Sequence, residues 1–467
     1  MQNIEVALTL PGIAGVVLTV AMAVDANVLV FERVREEFNI SGRIASALQL
    51  GYRKAFSAII DSNLTTVIAA LILLQFDSGP IRGFAVTLII GIVSSMFTSL
   101  FMTRYFFAGW VQNPKNRELK MAEWISSTNF DFLKWAKPAF IISGIFLMVG
   151  AGVLAKEWKS IFGMDFTGGY SLVVDLNEHP AAKESYRELV AKALLSKGLT
   201  TREFQIRELG RPNLLRIQLG VSVEEQNKPF FGMPLELTES ATGFAFEYQK
   251  NPRIIWLLDT LATQGLQVKE SEFPMLASGW THMSGQFSDA MRNNAIAALG
   301  LSLLAVLLYI AIRFEWKFAI AAVLALLHDV VLTVCVIGVA HSIGMPVQID
   351  LEVIGAIMTI IGYSLNDTII VFDRVREDMR LMRKKSFSEI INHALNTTLS
   401  RTLMTSGTTL LVLLSLVIFG GSSIFGFAFV MTMGVFLGTL SSLFIASPIL
   451  LYLEERGAKS SLQHSHA

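Results

Sequence analysis

Val24-Asp25-Ala26-Asn27-Val28-Leu29-Val30-Phe31-Glu32-Arg33-Val34-Arg35-Glu36 is matched further along the chain by Leu365-Asn366-Asp367-Thr368-Ile369-Ile370-Val371-Phe372-Asp373-Arg374-Val375-Arg376-Glu377. After each copy come a basic loop, a Ser/Thr-rich apolar run, a short Gly/Ser link and a Gly-containing apolar run. Phe76, Gly83 and Gly91 fall opposite Phe419, Gly426 and Gly434 at a constant offset. Self-similarity of this kind marks a duplicated architecture. Both copies run in the same direction, so the repeat is parallel, as in many transporters.

Composition says where such a repeat lives. Of 467 residues 52% are hydrophobic and 16% charged, against about 25% charged in an ordinary soluble domain. The mean hydropathy is +0.53. A water-soluble enzyme is excluded, and so is a lone membrane anchor. Lys+Arg 38 against Asp+Glu 38 leaves no basic field for nucleic acid. The single Cys335 excludes an internal disulfide framework and a Cys-based zinc site, and no metal or other cofactor is expected.

A bilayer core needs about 20 mostly apolar residues per helix. Nine runs qualify, at about 10–31, 56–76, 81–107, 138–155, 294–313, 318–341, 350–372, 402–420 and 424–452. The basic stretches 32–54 and 373–385 belong inside by the positive-inside rule, and the uncharged links 77–80 and 420–423 outside. All nine spans then alternate, with the N-terminus outside and the C-terminus inside. Ala21-Met22-Ala23 resembles a signal-cleavage site, but no Lys or Arg precedes it to form an n-region. Residues 1–107 read as the last three helices of a unit that 138–452 contains in full, with six. The expectation is a chain that begins in the middle of a larger architecture.

The fold class is therefore a polytopic α-helical membrane protein, three helices plus six, with one external α+β domain. Residues 108–137 read as a cytoplasmic linker and 138–155 as the first helix of the second unit. Residues 156–290 are the external domain, 291–452 five further helices and 453–467 a cytoplasmic tail. Within the external domain strands are expected at 168–177, 202–209, 213–220 and 266–273, with helices at 181–197 and 252–263. That is the β-α-β-β-α-β order of a ferredoxin-like split unit, with 227–250 inserted.

Ionisable groups within spans are costly and commonly face a bundle interior or a water path. Asp25 and Asp367 lie roughly 8–9 Å inside the cytoplasmic ends of their helices at 1.5 Å per residue. Matching depth in two repeat copies suggests one shared site on a pseudo-two-fold axis; the alternative is that each caps a helix end or snorkels to the interface. Arg401 begins the run at 402–420 and shares a face with Thr405, Thr408 and Thr409. This stripe suits ordered water and proton relay, with Arg401 as the single cation between two acids, although an arginine at a helix end is also an ordinary positive-inside anchor. The first copy offers Asp61, Ser62, Asn63, Thr65 and Thr66 in the matching run, polar but without arginine. His328 and Asp329 point about 100° apart on a helix and should not face one point; they extend a proton path or close a buried hydrogen bond. No HExxH is present, and the acids lack the Gly-x-Gly-Asp context of intramembrane aspartyl proteases. No catalytic residues are assigned.

Thr9-Leu10-Pro11-Gly12-Ile13-Ala14-Gly15, Ala23-Val24-Asp25-Ala26-Asn27, Phe31-Glu32-Arg33 and Asp61-Ser62-Asn63-Leu64-Thr65-Thr66 resemble the late transmembrane part of SecD. Asp165-Phe166-Thr167-Gly168-Gly169, His328-Asp329, Asn366-Asp367-Thr368 and Phe372-Asp373-Arg374 resemble SecF. The likeness covers nearly the whole chain and is to a fused SecD/SecF member of the RND-like superfamily whose SecD front is missing. It implies an auxiliary of the Sec translocase in the bacterial inner membrane, driven by the proton motive force. It implies as partners the SecY/SecE/SecG channel, SecA, YajC, the translocating preprotein and membrane lipid. It implies Asp25, Asp367 and Arg401 as the proton relay and 156–290 as a periplasmic domain. His328, Asp329, Thr405, Thr408, Thr409, Asp61 and Asn63 are candidate support residues. Gly168 and Gly169, at the end of a glycine run, are read as a hinge between membrane and domain. Two other classes stay open: a proton-driven exporter of small molecules or lipids, and a passive scaffold for the channel.

Overall fold

Inside lipid every backbone polar group must be satisfied within the chain, which makes long apolar runs helical. The computed structural model describes residues 10–75, 79–113, 128–158, 160–178, 185–201, 203–209, 211–237 and 246–465. Among the described residues nine helices are long and apolar enough to cross a membrane. The first three are α1 (Leu10–Ser41), α2 (Ile44–Leu73) and α3 (Gly79–Phe97), the last continued through a π turn at Thr98–Met102 by Thr103–Val111. Next comes α4 (Phe132–Glu157), which opens on Asp131, whose carboxylate accepts from Lys134 N. Two short helices of the external domain follow, α5 (Tyr186–Ser196) and α6 (Pro252–Ala262). The remaining membrane helices are α7 (Gly285–Arg313), α8 (Trp316–Ser342), α9 (Leu351–Leu381), α10 (Phe387–Phe419) and α11 (Ser422–Ser441). The last is continued through a π turn at Ser442–Ala446 by Ser447–Ser465.

The helices overrun the apolar runs. The stretch read as a linker, 108–137, gives its first residues to the continuation of α3 and its last to α4. The basic stretches after Phe31 and Phe372 stay helical to Ser41 and Leu381. Most consequential, α10 starts at Phe387 with a Ser386/Glu389 capping box, fifteen residues before the apolar run expected at 402. Arg401 is therefore an interior residue of its helix and not its first.

The repeat is structural. Across the interface α1 packs on α10 while α9 packs on α2. Since α9 corresponds to α1 and α10 to α2, the pairing is reciprocal, as a two-fold relation requires. The matched glycines have matched jobs: a Cβ at Gly91 would run into Thr19, and one at Gly434 into Ile360. Between the halves a Cβ at Gly362 would lie 2.8 Å from Thr66 Cα, so only glycine lets α9 and α2 approach this closely. Both repeats also carry their π turn late in the third helix.

The external domain contains β1 (Gly169–Asp175), β2 (Phe204–Glu208), β3 (Leu214–Gly220) and β4 (Trp280–Met283) in the order β2-β3-β1-β4, antiparallel throughout. Leu172, Leu215 and Ile217 meet Val190 and Leu194 of α5 and Leu257 and Leu261 of α6 in one core. The split topology expected from sequence is present, but its last strand is not at 266–273. There only Val268 bridges to Leu176, and Glu270–Met275 turns into a 3-10 helix. The edge of β1 is taken by Trp280–Met283 instead. Burial pushes the Tyr170 phenol up to about 12, so it stays a donor to Glu224 and an acceptor for Arg253, whose guanidinium also lies 4.6 Å over the ring.

Candidate functional site

Asp25 and Arg401 meet at the centre of the interface between the repeats. Arg401 Nη2 lies 3.1 Å from Asp25 Oδ1, and the second Asp25 oxygen accepts from Asn366 Nδ2. Asn366 is the repeat counterpart of Asp25 in the sequence match, so the axis relating the halves passes between them. Asp25 is 8% exposed, Arg401 4% and Asp367 5%. The arginine is thus buried with its charge against a carboxylate of the other repeat, an arrangement in which removing one partner strands the other charge.

Asp367 occupies the same interface but in a different way. It is one residue out of register with Asp25, hence turned by about 100° on its helix. Its carboxylate accepts from Ser406 Oγ at 3.3 Å, and Ser406 accepts in turn from Thr439 Oγ1 on α11 at 2.7 Å. Among the described residues Arg401 forms its ion pair with Asp25 and none with Asp367. Arg401 lies between the two acids but makes its direct contact with Asp25. One acid is paired with a cation and the other is held by a hydroxyl chain.

The threonine stripe falls as its spacing predicts on one helix face, with Thr405 and Thr409 buried and Thr408 half-buried. Their hydroxyls donate to backbone carbonyls one turn back, Thr405 to Thr402 and Thr408 and Thr409 to Thr405. Thr409 also accepts from Tyr363 Oη at 3.1 Å. Asn366, Ser406, Tyr363 and Thr439 are site residues that the sequence reading passed over. Asn366 had a signal, its position opposite Asp25 in the repeat; the other three are polar residues among many.

Two groups lie outside this cluster. Asp61 has its own arginine: Arg313 Nε of α7 is 2.6 Å from Oδ2, and Tyr309 Oη donates to Oδ1 at 2.9 Å. Asn63 turns back to Ile59 O of its own helix at 2.8 Å. His328 and Asp329 do face each other, contrary to the helical-wheel argument. His328 Nδ1 lies 3.1 Å from Asp329 Oδ1, because a long and a short side chain on neighbouring residues can curl together. The other Asp329 oxygen accepts from Ser364 of α9 and Ser441 of α11, both at 2.6 Å, and His328 Nε2 meets Ser143 of α4. This fully buried carboxylate ties α8 to α9 and α11 one helical turn from Asp367.

Below the site, at the charged ends of α1 and α9, the repeats exchange ion pairs. Arg33 reaches Glu377 at 3.1 Å, and its counterpart Arg374 reaches Glu36, the counterpart of Glu377, at 3.5 Å. These half-exposed pairs are individually modest. In a double-mutant cycle, Arg33→Gln and Glu377→Gln should couple by ~0.5–1 kcal/mol in the thermal stability of the detergent-solubilised protein. Additive losses would mean that the halves are not joined there.

Above the site the junction with the external domain is laced to α9. Gly163 N donates to Ile349 O at 2.8 Å and Ile349 N to Ile161 O at 2.7 Å. Asp165 Oδ2 accepts from Leu351 N, the first residue of α9, at 3.0 Å. Gly168 and Gly169 then turn the chain into β1 with φ of 73° and 139°, conformations natural only to glycine. The positions read as a hinge are thus a sharp corner whose preceding residues are fastened to the helix that carries Asp367.

Buried acids and an arginine at the interface of a parallel helical repeat, with an α+β domain fastened to one of the helices, define a multi-pass membrane protein with a polar site between its two halves. The family model for the protein export membrane protein SecD/SecF, C-terminal, matches residues 1–113 and 266–456, and the chain belongs to that family. It is 32% identical to the protein translocase subunit SecDF of Brucella abortus over 97% of this chain and 54% of that one. To the SecF subunit of Rhodothermus marinus it is 33% identical over 71% of this chain and 96% of that one. The solved structure of the translocon-associated SecDF of Thermus superposes with a TM-score of 0.77 at 31% identity, covering 96% of this chain and 55% of that one. The chain spans about half the length of the SecDF relatives it matches.

Proposed function

We propose that this chain serves as an auxiliary subunit of the Sec translocase that couples the proton motive force to movement of secretory proteins across the inner membrane. The observation that carries the reading is the Asp25–Arg401 pair bridging the repeats, with Asp367 one residue out of register beside it. A carboxylate out of water favours its neutral form and a nearby arginine its charged form, so such a group changes protonation as access alternates. One charge crossing 100 mV supplies about 2.3 kcal/mol, a bias of a few tens-fold on a two-state rearrangement. A shift of α9 reaches the external domain through Asp165, and domain movement then hinders the exported chain from sliding back. Thr405, Thr408, Thr409 and the His328–Asp329 node support this relay. The names of the relatives support a partnership with the translocon, in which the SecY/SecE/SecG channel, SecA, YajC and the preprotein are the proposed contacts.

The same reading puts residues 156–290 in the periplasm. Ser196 is exposed at the end of α5. A Ser196→Cys variant in a cysteine-free background (Cys335→Ser) should react with an impermeant maleimide in cells with only the outer membrane permeabilised. Labelling that appears only after inner-membrane lysis would reverse the orientation. For the function itself, the test is proton-dependent export in cells carrying site variants.

A further inference from the structure

Among the membrane helices α4 is the least covered by protein, with 6% of its apolar window buried. Beside it lies a groove of about 350 Å³, within the roughly 300–1,000 Å³ of ligand sites. Its walls are apolar: Trp135, Ala139, Ile142 and Phe146 along α4 face Leu440 and Phe444 of α11 and its π turn. His328 and Ser143, hydrogen-bonded to each other, close its inner end.

We infer that this groove holds an acyl chain of an anionic phospholipid, with the headgroup held by Lys134 and Lys137. Length, position and charge each point to that occupant. From Trp135 to Phe146 the wall rises about 16 Å at 1.5 Å per residue, close to half of a hydrocarbon core about 30 Å thick. The groove therefore accepts a chain from one leaflet, which is the cytoplasmic one in the orientation proposed above; the site itself does not depend on that orientation. At its mouth Trp135 is 55% exposed, the placement of an interfacial belt residue. Lys134 lies one turn before Pro138 on the same helix face, with its side chain 81% exposed and a 3.5 Å pairing to Asp131. Lys137 is exposed beside it. Two exposed ammonium groups over an apolar slot, only one of them paired with a carboxylate, select a phosphate-bearing anion over a zwitterion. The chain tip then covers His328 and keeps water from the Asp329 node on its lipid side.

The test is native mass spectrometry of the full chain released from bilayers of equal phosphatidylglycerol and phosphatidylcholine. Phosphatidylglycerol should be retained in preference, by roughly fivefold per lysine. The Lys134→Gln/Lys137→Gln variant should retain both lipids equally. Ala139→Phe, which fills the slot, should retain neither, with gel filtration showing that the variant is folded. Equal retention of the two lipids by the unaltered protein overturns the inference without recourse to any variant. Undiminished retention by folded Ala139→Phe places the lipid elsewhere and overturns it too.

Discussion

Replacing Asp367 by Asn is expected to reduce proton-dependent export to the level of cells lacking the protein, with membrane abundance unchanged. The amide matches the carboxyl in shape and its oxygen still accepts from Ser406, so the Ser406–Thr439 chain survives. What is lost is the ability to exchange a proton between α9 and its neighbours. At 5% exposure the neutral amide is also easier to bury than the acid, so insertion and folding should not suffer. The measurement is secretion of a reporter preprotein in a complementation assay with quantified protein. Normal export at matched abundance would remove Asp367 from the mechanism and favour the scaffold reading.

The second large effect is expected at Arg401. Replacement by Lys keeps the charge but shortens the reach and loses the planar donor fork, and an ammonium shifts its pKa readily when buried. An interfacial anchor would tolerate that change. At 4% exposure and 3.1 Å from Asp25, this arginine should not, and export should fall at least about tenfold, the size of a ~1.4 kcal/mol loss. Residues acting as one unit also lose activity together. Once Asp367 is Asn, removing Arg401 should cost little more. Full activity of Arg401→Lys with additive losses in the double variant would leave an anchoring role standing.

Much of this architecture was legible because membrane helices and repeats write strong signals. Among the described residues the nine apolar runs correspond to nine helices, and the match of Val24–Glu36 to Leu365–Glu377 suggested a pseudo-two-fold axis, to which the structure adds the pairing of α1 with α10 and α9 with α2. Helix lengths were less legible. Hydropathy stops where charge begins, whereas α1 and α9 continue because Arg33, Glu36, Arg374 and Glu377 satisfy one another across the repeats. The same blindness placed Arg401 at a helix start. In the external domain the alternation at Leu266-Gln267-Val268 reads as a strand as well as Trp280–Met283 does. Which segment takes the edge of β1 is decided by the turn at Glu270–Met275, not by local pattern. Asp25 and Asp367 announced themselves as charges in apolar runs, and Arg401 as a charge at the edge of one. Their partners did not, because a buried Ser or Thr looks the same in sequence whether it serves a carboxylate or its own helix.

Proton passage through this buried network is the property on which the proposed coupling depends. The direct measurement is proton uptake into liposomes containing the full chain and a trapped pH-sensitive dye, driven by an imposed membrane potential. The account predicts potential-dependent acidification above that of empty vesicles, abolished by Asp367→Asn and by Asp25→Asn at equal protein incorporation. Acidification at the same rate with both acids neutralised would contradict it.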